Sequence, residues 1–382
     1  MEERAYWLAW SQISGLGPVT LKRLQQRFDL LSRAWTADSQ ALATVEGIGT
    51  QTLRRIEKYR RSMEPSVLLT QHLQDNPHVW SMAEDLYPRM LAEVADPPPL
   101  LYYRGHVQPE ENHGHTPLVA MVGTREPSEY AKRWTRKIAY ALAQRGITVV
   151  SGMAEGIDTQ AHLGCLEGGG RTIAILGTGV DMIYPPRNQG LYHRIQEQGL
   201  VISEYPAGTQ PHRAHFPKRN RIVAGLCRAV LVMEAPTKSG ALITAYQANE
   251  YGRDIYVLPG SLDNPRAMGC LGLVQRGAQL ILGIGQLLNQ LGAIPPLPAA
   301  TTTASPEISP SLPAIQAEIL KTIQQLCQQS GDGSVPFDLI VQSVDKSAGE
   351  VSGEILQLEL QGFVSQLPGM RYAPQSSPSS GR

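Results

Sequence analysis

The chain has 382 residues, enough for one large hydrophobic core and one or two smaller modules. Its 34 Lys and Arg residues balance 34 Asp and Glu residues, which excludes a uniformly basic nucleic-acid binder and confines any binding charge to a local surface. The four cysteines form no CxxC pair, and neither a signal-peptide core nor a membrane-spanning apolar run is present. We therefore expect a cytoplasmic protein with reduced cysteines, no metal site and no membrane partner.

An internal repeat occupies the segment 1–62. Residues 15–24 match residues 47–56 position by position, and each copy consists of a G-x-G turn, an amphipathic helix pattern and a basic pair. The repeat resembles a tandem helix-hairpin-helix module, which implies that hairpin N–H groups and a helix N-terminus hold a DNA phosphate. A small helical bundle, in which the glycines only permit sharp turns, remains the alternative.

The segment 63–116 has a weaker pattern, with short strand-like runs at 79–80 and 100–103 that prolines interrupt. We predict a connector packed on the central domain. Its histidines, His106, His113 and His115, have no carboxylate or cysteine spaced to complete a metal site, so a solvated loop is favoured over a metal centre.

Alternating strand and helix patterns fill residues 117–291. Continuous apolar strands separated by amphipathic helices indicate a parallel sheet covered on both faces, so we predict an α/β, Rossmann-like, doubly wound and mostly parallel fold. Such a sheet binds its ligand at the carboxyl ends of the strands. The predicted strands are 118–122, 147–150, 172–176, 200–203, 229–233 and 255–258, and the predicted helices are 129–144, 157–167, 188–198, 219–226 and 241–251.

Glycines and cations collect where these strands end. Glycine lets backbone N–H groups approach an anion closely, and the following helix N-terminus carries a favourable partial positive charge. A dense basic stretch also precedes the fifth predicted strand. The candidate binding residues are Gly123, Thr124, Arg125, Ser151, Gly152, Lys218, Arg219, Asn220, Arg221, Lys238, Ser239 and Gly240.

Cations and N–H donors on one edge of a sheet indicate an anionic ligand, either a polyanion or a phosphate ester. Because these donors are separate points that suit a flexible backbone, the sequence favours single-stranded DNA. Asp158 lies near a predicted helix start, where it is expected to cap backbone N–H groups. Arg221 has an alternative role as the partner of a core carboxylate such as Asp158.

The carboxyl-terminal part begins with a Pro-, Ala- and Thr-rich segment, 292–311, which we predict to be a flexible linker. Residues 312–373 show the helix and hairpin order of a winged-helix-like module, and 374–382 are predicted to be disordered. The second long helix of this module carries Glu350, Glu354 and Glu359 and no Lys or Arg. An acidic helix is a poor reader of DNA, so a protein-contact or regulatory role is favoured.

Several motifs together resemble the DNA-processing protein A (DprA/Smf) family. They are GTR at 123–125, SGMAEGID at 151–158, FPKRNRIVAGL at 216–226, SGALITA at 239–245 and the PG…RGA segment at 259–278. The resemblance implies a core that binds single-stranded DNA, loads the recombinase RecA onto it during natural transformation, and forms homodimers. Leu271 departs from the family pattern, which commonly has Asn there.

The alternative is an enzyme, a nucleotide phosphoribohydrolase of the lysine-decarboxylase-like fold family. Those enzymes need a carboxylate just after their Gly-rich loop, and the matching segment 239–245 supplies only Ser and Thr, which leaves Glu155 as the candidate. The sequence shows no paired carboxylates, no nucleophile with a neighbouring base and no P-loop. We therefore expect a binding protein that is not an enzyme, with no catalytic residue and no cofactor.

Overall fold

The computed structural model describes residues 3–292, 313–330, 334–344, 346–360, 363–367 and 371–374. Two compact units are formed by Met1–Ala300 and Thr301–Arg382. Apart from Gly292 and Pro374, the predicted linker and the predicted disordered tail lie outside the described residues. Among the helices described, none combines the length and the apolar composition that a bilayer crossing requires.

Six helices begin the first unit: α1 (Glu3–Ser11), α2 (Pro18–Phe28), α3 (Leu31–Thr36), α4 (Ser39–Ala43), α5 (Thr50–Ser62) and α6 (Pro65–Asp75). Both copies of the repeat start a helix directly after the second glycine of the G-x-G turn. The first glycine of each turn, Gly15 or Gly47, has φ near +95°, a conformation that side chains disfavour.

The two turns also exchange equivalent contacts. Arg23 of the first copy donates to the carbonyl of Glu46, and Arg55 of the second copy donates to the carbonyl of Ser14, each over 3.2 Å. The repeat is therefore a structural as well as a sequence repeat. Phosphate binding by either hairpin stays a prediction.

A nine-stranded sheet follows, in the order β1-β2-β6-β5-β4-β3-β7-β8-β9. Strands β3 to β9 are parallel, whereas β2 pairs antiparallel with β6 and β1 antiparallel with β2. The strands are β1 (Val79–Ser81), β2 (Leu100–Gly105), β3 (Leu118–Val122), β4 (Thr148–Ser151), β5 (Thr172–Leu176), β6 (Leu200–Ser203), β7 (Ala229–Val232), β8 (Asp254–Val257) and β9 (Gln279–Leu280).

The chain builds the sheet outward from β3 to β6 and then returns to the other side of β3, where β7 pairs with it. This reversal opens a crevice at the carboxyl ends of the neighbouring strands. The connecting helices are α7 (Arg89–Glu93), α8 (Pro109–Asn112), α9 (Glu129–Ala143), α10 (Ile157–Glu167), α11 (Gln189–Gln198), α12 (His215–Leu226), α13 (Gly240–Glu250), α14 (Met268–Val274) and α15 (Ile284–Gly292), with a short 3-10 turn at Pro186–Asn188.

Alternation along the strands builds a core on each face of the sheet. Val119 and Met121 of β3 belong to a buried cluster with residues of α9, α10 and α15. Ala120 and Val122 belong to a second cluster with residues of α12, α13 and α14. Both faces of the strand are thus apolar, as the uninterrupted apolar run predicts.

The predicted Rossmann-like, mostly parallel fold is confirmed, and its six predicted strands are present within one residue at each end. The predicted connector supplies β1 and β2 to the same sheet. Helix α12 begins at His215, four residues before its predicted start at 219. Pro217 is compatible with this start because the first-turn N–H groups of a helix have no intrahelical acceptor.

The second unit contains α16 (Ala314–Ser330), β10 (Val335–Pro336), α17 (Phe337–Ser343), α18 (Ala348–Leu360), β11 (Val364–Leu367) and β12 (Arg371–Pro374). Its strands pair antiparallel in the order β10-β12-β11, which confirms the predicted winged-helix-like arrangement. Two of the acidic residues on α18 have local partners. Glu350 accepts hydrogen bonds from the N–H and hydroxyl of Ser347, which lowers its pKa, and Glu354 accepts one from Gln316.

Candidate nucleic-acid interface

A cavity of about 800 Å³, hereafter the main cavity, opens at the carboxyl ends of β3 and β4 and at the N-terminal ends of α12 and α13. The loops after β3 and β4 and the two helix starts all contribute lining residues. A helix start directs free N–H groups and a partial positive charge towards a ligand, so its position favours an anion.

Eight of the twelve predicted binding residues line the main cavity. They are Gly123, Thr124, Arg125, Gly152, Arg219, Asn220, Ser239 and Gly240. The other four, Ser151, Lys218, Arg221 and Lys238, do not line it.

Arg219 is a buried cation beneath the cavity, only 4% exposed. Its guanidinium donates to the carbonyls of Gly152 and Ile175. Burial lowers the pKa of Arg219 to about 10, and the nearby carboxylate of Asp158 opposes that shift. Asp158 is itself buried, and burial raises its pKa, although Arg219 and an N–H from Ala154 work against the rise. The Arg219–Asp158 pair therefore forms the floor of the cavity, and its two opposite charges largely cancel.

Two glycines of the cavity serve different purposes. A Cβ added to Gly152 would lie 2.5 Å from the Arg219 guanidinium, so this glycine makes room for the buried cation. A Cβ added to Gly240 would meet nothing within 4 Å. The sequence suggested that the glycines of these turns allow a ligand to approach closely. Gly152 is explained instead by internal packing, because it leaves room for the Arg219 guanidinium.

Arg221 lies in the core, with its side chain 3% exposed. It donates to Glu204 over 2.6 Å and to the carbonyl of Asp96 over 2.6 Å, and its Nε lies 3.5 Å from the Asp96 carboxylate. The predicted DNA contact is therefore corrected to a structural ion pair, because a buried guanidinium with two carboxylate neighbours cannot reach a ligand in the cavity. The alternative partner expected from sequence, Asp158, is corrected as well, since that carboxylate faces Arg219.

Lys218 and Lys238 remain outside the main cavity. Lys218 lies 3.1 Å from Glu204, and its ammonium is 5.5 Å from the Tyr205 ring centroid. Lys238 is exposed in the loop before α13. Ser151 is buried, and its hydroxyl donates a hydrogen bond of 2.6 Å to the Met121 carbonyl. This hydrogen bond links β4 to β3. Ser239, which lines the cavity, caps α13 by accepting from the N–H of Ala241.

The structure adds residues that sequence reasoning missed. Exposed Arg213 and Arg266 line the main cavity together with Arg125. Phe216 and Tyr184 line it as well, with ring centroids 5.4 Å apart, and the Arg125 guanidinium lies 5.7 Å from the Phe216 centroid. No local pattern marks the two additional arginines, because each is an isolated cation in a loop. Phe216 directly precedes the basic stretch and could have been included.

The carboxylate that the enzyme alternative requires lies outside the main cavity. Glu155 is 43% exposed and lies 3.9 Å from Arg187. It lines a smaller cavity of about 130 Å³ beside Arg125 and Phe216, and the main cavity does not include it. Among the described residues, no group of His, Cys, Asp and Glu side chains is suited to hold a metal ion.

The fold is that of a doubly wound α/β protein, and its main cavity lies at the carboxyl edge of the sheet, where such folds bind their ligands. The family model of DNA recombination-mediator protein A matches residues 78–292, and that of the DprA winged helix domain matches residues 303–370. The chain belongs to the DNA recombination-mediator protein A family.

Relatives agree with this assignment. Protein Smf of Synechocystis sp. is 47% identical over 97% of this chain and 98% of its own length. The crystal structure of DNA processing protein A from Streptococcus pneumoniae matches with a TM-score of 0.65 and 35% identity, over 76% of this chain and 98% of that one. DNA processing protein A from Helicobacter pylori, whose structure describes a single-stranded DNA binding mode, matches with a TM-score of 0.51 and 32% identity, over 56% of this chain and 95% of that one. These findings do not favour the phosphoribohydrolase alternative.

Proposed function

We propose that this protein binds single-stranded DNA in the main cavity and delivers the bound strand for recombination. The observation that carries the proposal is the combination of three exposed cations, Arg125, Arg213 and Arg266, with the Phe216 and Tyr184 rings around one cavity. Cations meet the phosphates and aromatic faces stack with bases, which is how sequence-tolerant single-strand binders work. The Helicobacter pylori relative supports the choice of ligand.

Single strands suit this site better than duplex. A base must leave the double-helical stack before it can lie against Phe216 or Tyr184. The cations and rings line a cavity, whereas a duplex presents its phosphates on a convex surface. We therefore expect the isolated first unit to bind single strands more tightly than duplex of the same length.

The family resemblance supports two finer proposals, homodimer formation through the core and loading of RecA. A dimer would hold one strand in two main cavities, which raises the effective concentration of the second contact. The protein then delivers the bound strand stoichiometrically and does not turn over a substrate. We expect faster RecA filament formation on single strands already coated by a strand-protecting protein, and a smaller effect in a variant that folds but cannot dimerise.

Binding of labelled single strands to Arg125→Ala across a salt series tests the proposal. Each phosphate contact contributes about 0.7 to the slope of log affinity against log salt, so loss of one contact should weaken binding about fivefold at 0.1 M salt. Arg194→Ala, which removes an exposed cation from α11 that does not line the main cavity, is the matched control. Flat salt dependence, a preference for duplex, or equal loss in the control contradicts the proposal.

A further inference from the structure

A second cavity lies beside the main cavity, on the other side of the loop that follows β3. This side cavity has a volume of about 500 Å³, within the range of ligand sites. Its lining is largely apolar and includes Tyr130, Met233, Leu258, Pro259 and Ala267. The start of the PG…RGA segment at 259–278 supplies part of the lining, and the sequence analysis assigned no ligand to it.

Two chain segments border both cavities. The loop before α9 lines the main cavity at Thr124 and the side cavity at Ser128. The loop before α14 lines the main cavity at Arg266 and the side cavity at Asn264. Glu234, 3% exposed, holds the two loops together, because its Oε1 accepts from the Ser128 hydroxyl over 2.7 Å and from the Asn264 amide over 2.9 Å. The two cavities therefore share a fixed common border.

Tyr130 lines the side cavity and also lies on the exposed side of α9. The α9 face consists of Tyr130, Arg133, Trp134 and Lys137. Tyr130 is 40% exposed, its ring centroid is 6.4 Å from that of Trp134, and the Lys137 ammonium lies 5.7 Å from the Trp134 centroid. The face spans eight residues, or about 10 Å of helix.

The charges of this face have no local compensation. On the same helix, Lys132 pairs with Glu129 over 2.7 Å, and Arg136 pairs with Glu167. Within the described parts of the chain, Arg133 and Lys137 form no ion pair. A chain whose net charge is zero thus concentrates unbalanced cations beside the exposed Tyr130 ring and the partly exposed Trp134 ring. Cations interleaved with aromatic rings are the pattern of a surface that binds single-stranded nucleic acid.

We propose that a single strand held in the main cavity continues through the side cavity and along the α9 face. A base stacks on Tyr130 or Trp134, and the phosphates on either side of it meet Arg133 and Lys137. The inference rests on the proposed function, since it extends the path of the same strand. It predicts that strand length controls affinity: oligonucleotides that fill only the main cavity do not use α9, and longer ones do.

The test compares oligothymidylates of about 5 and about 20 nucleotides, which lie near the lower end of and above the roughly 4–16 nucleotides that a single-strand binding site covers. In the full chain, Arg133→Ala/Lys137→Ala should lower the salt slope for the long strand by about 1.4, because two phosphate contacts are lost. Affinity for the long strand then falls roughly 10- to 30-fold at 0.1 M salt. Affinity for the short strand should stay within about twofold of wild type.

The control is Lys58→Ala/Arg61→Ala, which removes one Lys and one Arg from exposed positions of α5 that lie beyond the repeat copy 47–56. It should leave both affinities unchanged. An equal loss in this variant overturns the inference, because the effect would then follow total charge and not the α9 face. Equal loss for short and long strands also overturns it.

Trp134 provides an independent readout. It is partly exposed, whereas Trp7, Trp10, Trp35 and Trp80 are at most 9% exposed. The long strand should quench tryptophan fluorescence, the short strand should not, and Trp134→Phe should abolish the quenching.

Self-association of the Arg133→Ala/Lys137→Ala variant must match that of wild type. If self-association weakens together with the affinity for the long strand, the α9 face is a contact between copies of the chain and the inference fails. If wild type binds neither oligonucleotide, the proposed function itself fails. If the variant binds both as wild type does, only this inference fails.

Discussion

Replacing Arg221 with Ala should destabilise the protein and leave the DNA affinity of its folded fraction unchanged. Arg221 sits in a basic stretch that suggests DNA binding, yet its side chain is 3% exposed and its guanidinium is 2.6 Å from the Glu204 carboxylate, which is 5% exposed. Removing one partner of a buried ion pair leaves the other charge without its compensation, at a cost of about 3–5 kcal/mol.

The lower end of this range applies, because Lys218 stays 3.1 Å from Glu204 in the variant. A loss of about 3 kcal/mol corresponds to a fall in Tm of roughly 6–12 °C, at about 2–4 °C per kcal/mol. The double variant Arg221→Ala/Glu204→Gln should recover part of the loss, since it removes the buried charge that was left behind.

Urea unfolding gives the stability difference, and titration of labelled single strands at a temperature where all variants are folded gives the affinity. Arg125→Ala is the reciprocal control, with reduced affinity and nearly unchanged stability, because its side chain is exposed at the main cavity. A stable Arg221→Ala protein that has lost affinity tenfold would refute the structural role assigned to this residue.

Three further outcomes are expected. His162 is fully buried with a pKa lowered to about 3, so the unfolded chain, with a pKa near 6.5, binds a proton that the folded chain excludes. Stability should therefore fall by about 2 kcal/mol between pH 6.5 and 5, and His162→Gln should lose less over the same range in urea unfolding. Gly152→Ala should displace the Arg219 guanidinium, costing about 1–3 kcal/mol in stability and also weakening single-strand binding in the titration. Deletion of residues 312–382 should leave single-strand affinity nearly unchanged, and a large loss would assign a DNA contact to the winged-helix unit.

Local patterns were sufficient for most of the fold. The uninterrupted apolar runs predicted the buried parallel strands, because both faces of each strand pack against helices. The repeated G-x-G turns predicted paired helix starts, since Gly15 and Gly47 need a backbone conformation that glycine adopts readily. Order along the chain also predicted a groove at the carboxyl ends of the strands, and the main cavity opens there.

The side-chain directions in the basic stretch could not be predicted from the sequence. Sequence alone determined that cations cluster at 218–221, but the tertiary structure decided which of them faces the main cavity. Because α12 begins at His215, these residues lie on helix, and each is rotated about 100° from the one before. Arg219 is therefore directed to the cavity base, while Arg221 is turned about 200° away, towards Glu204. Arg213 and Arg266 reach the same cavity from loops separated by more than fifty residues, a proximity that only the folded sheet creates.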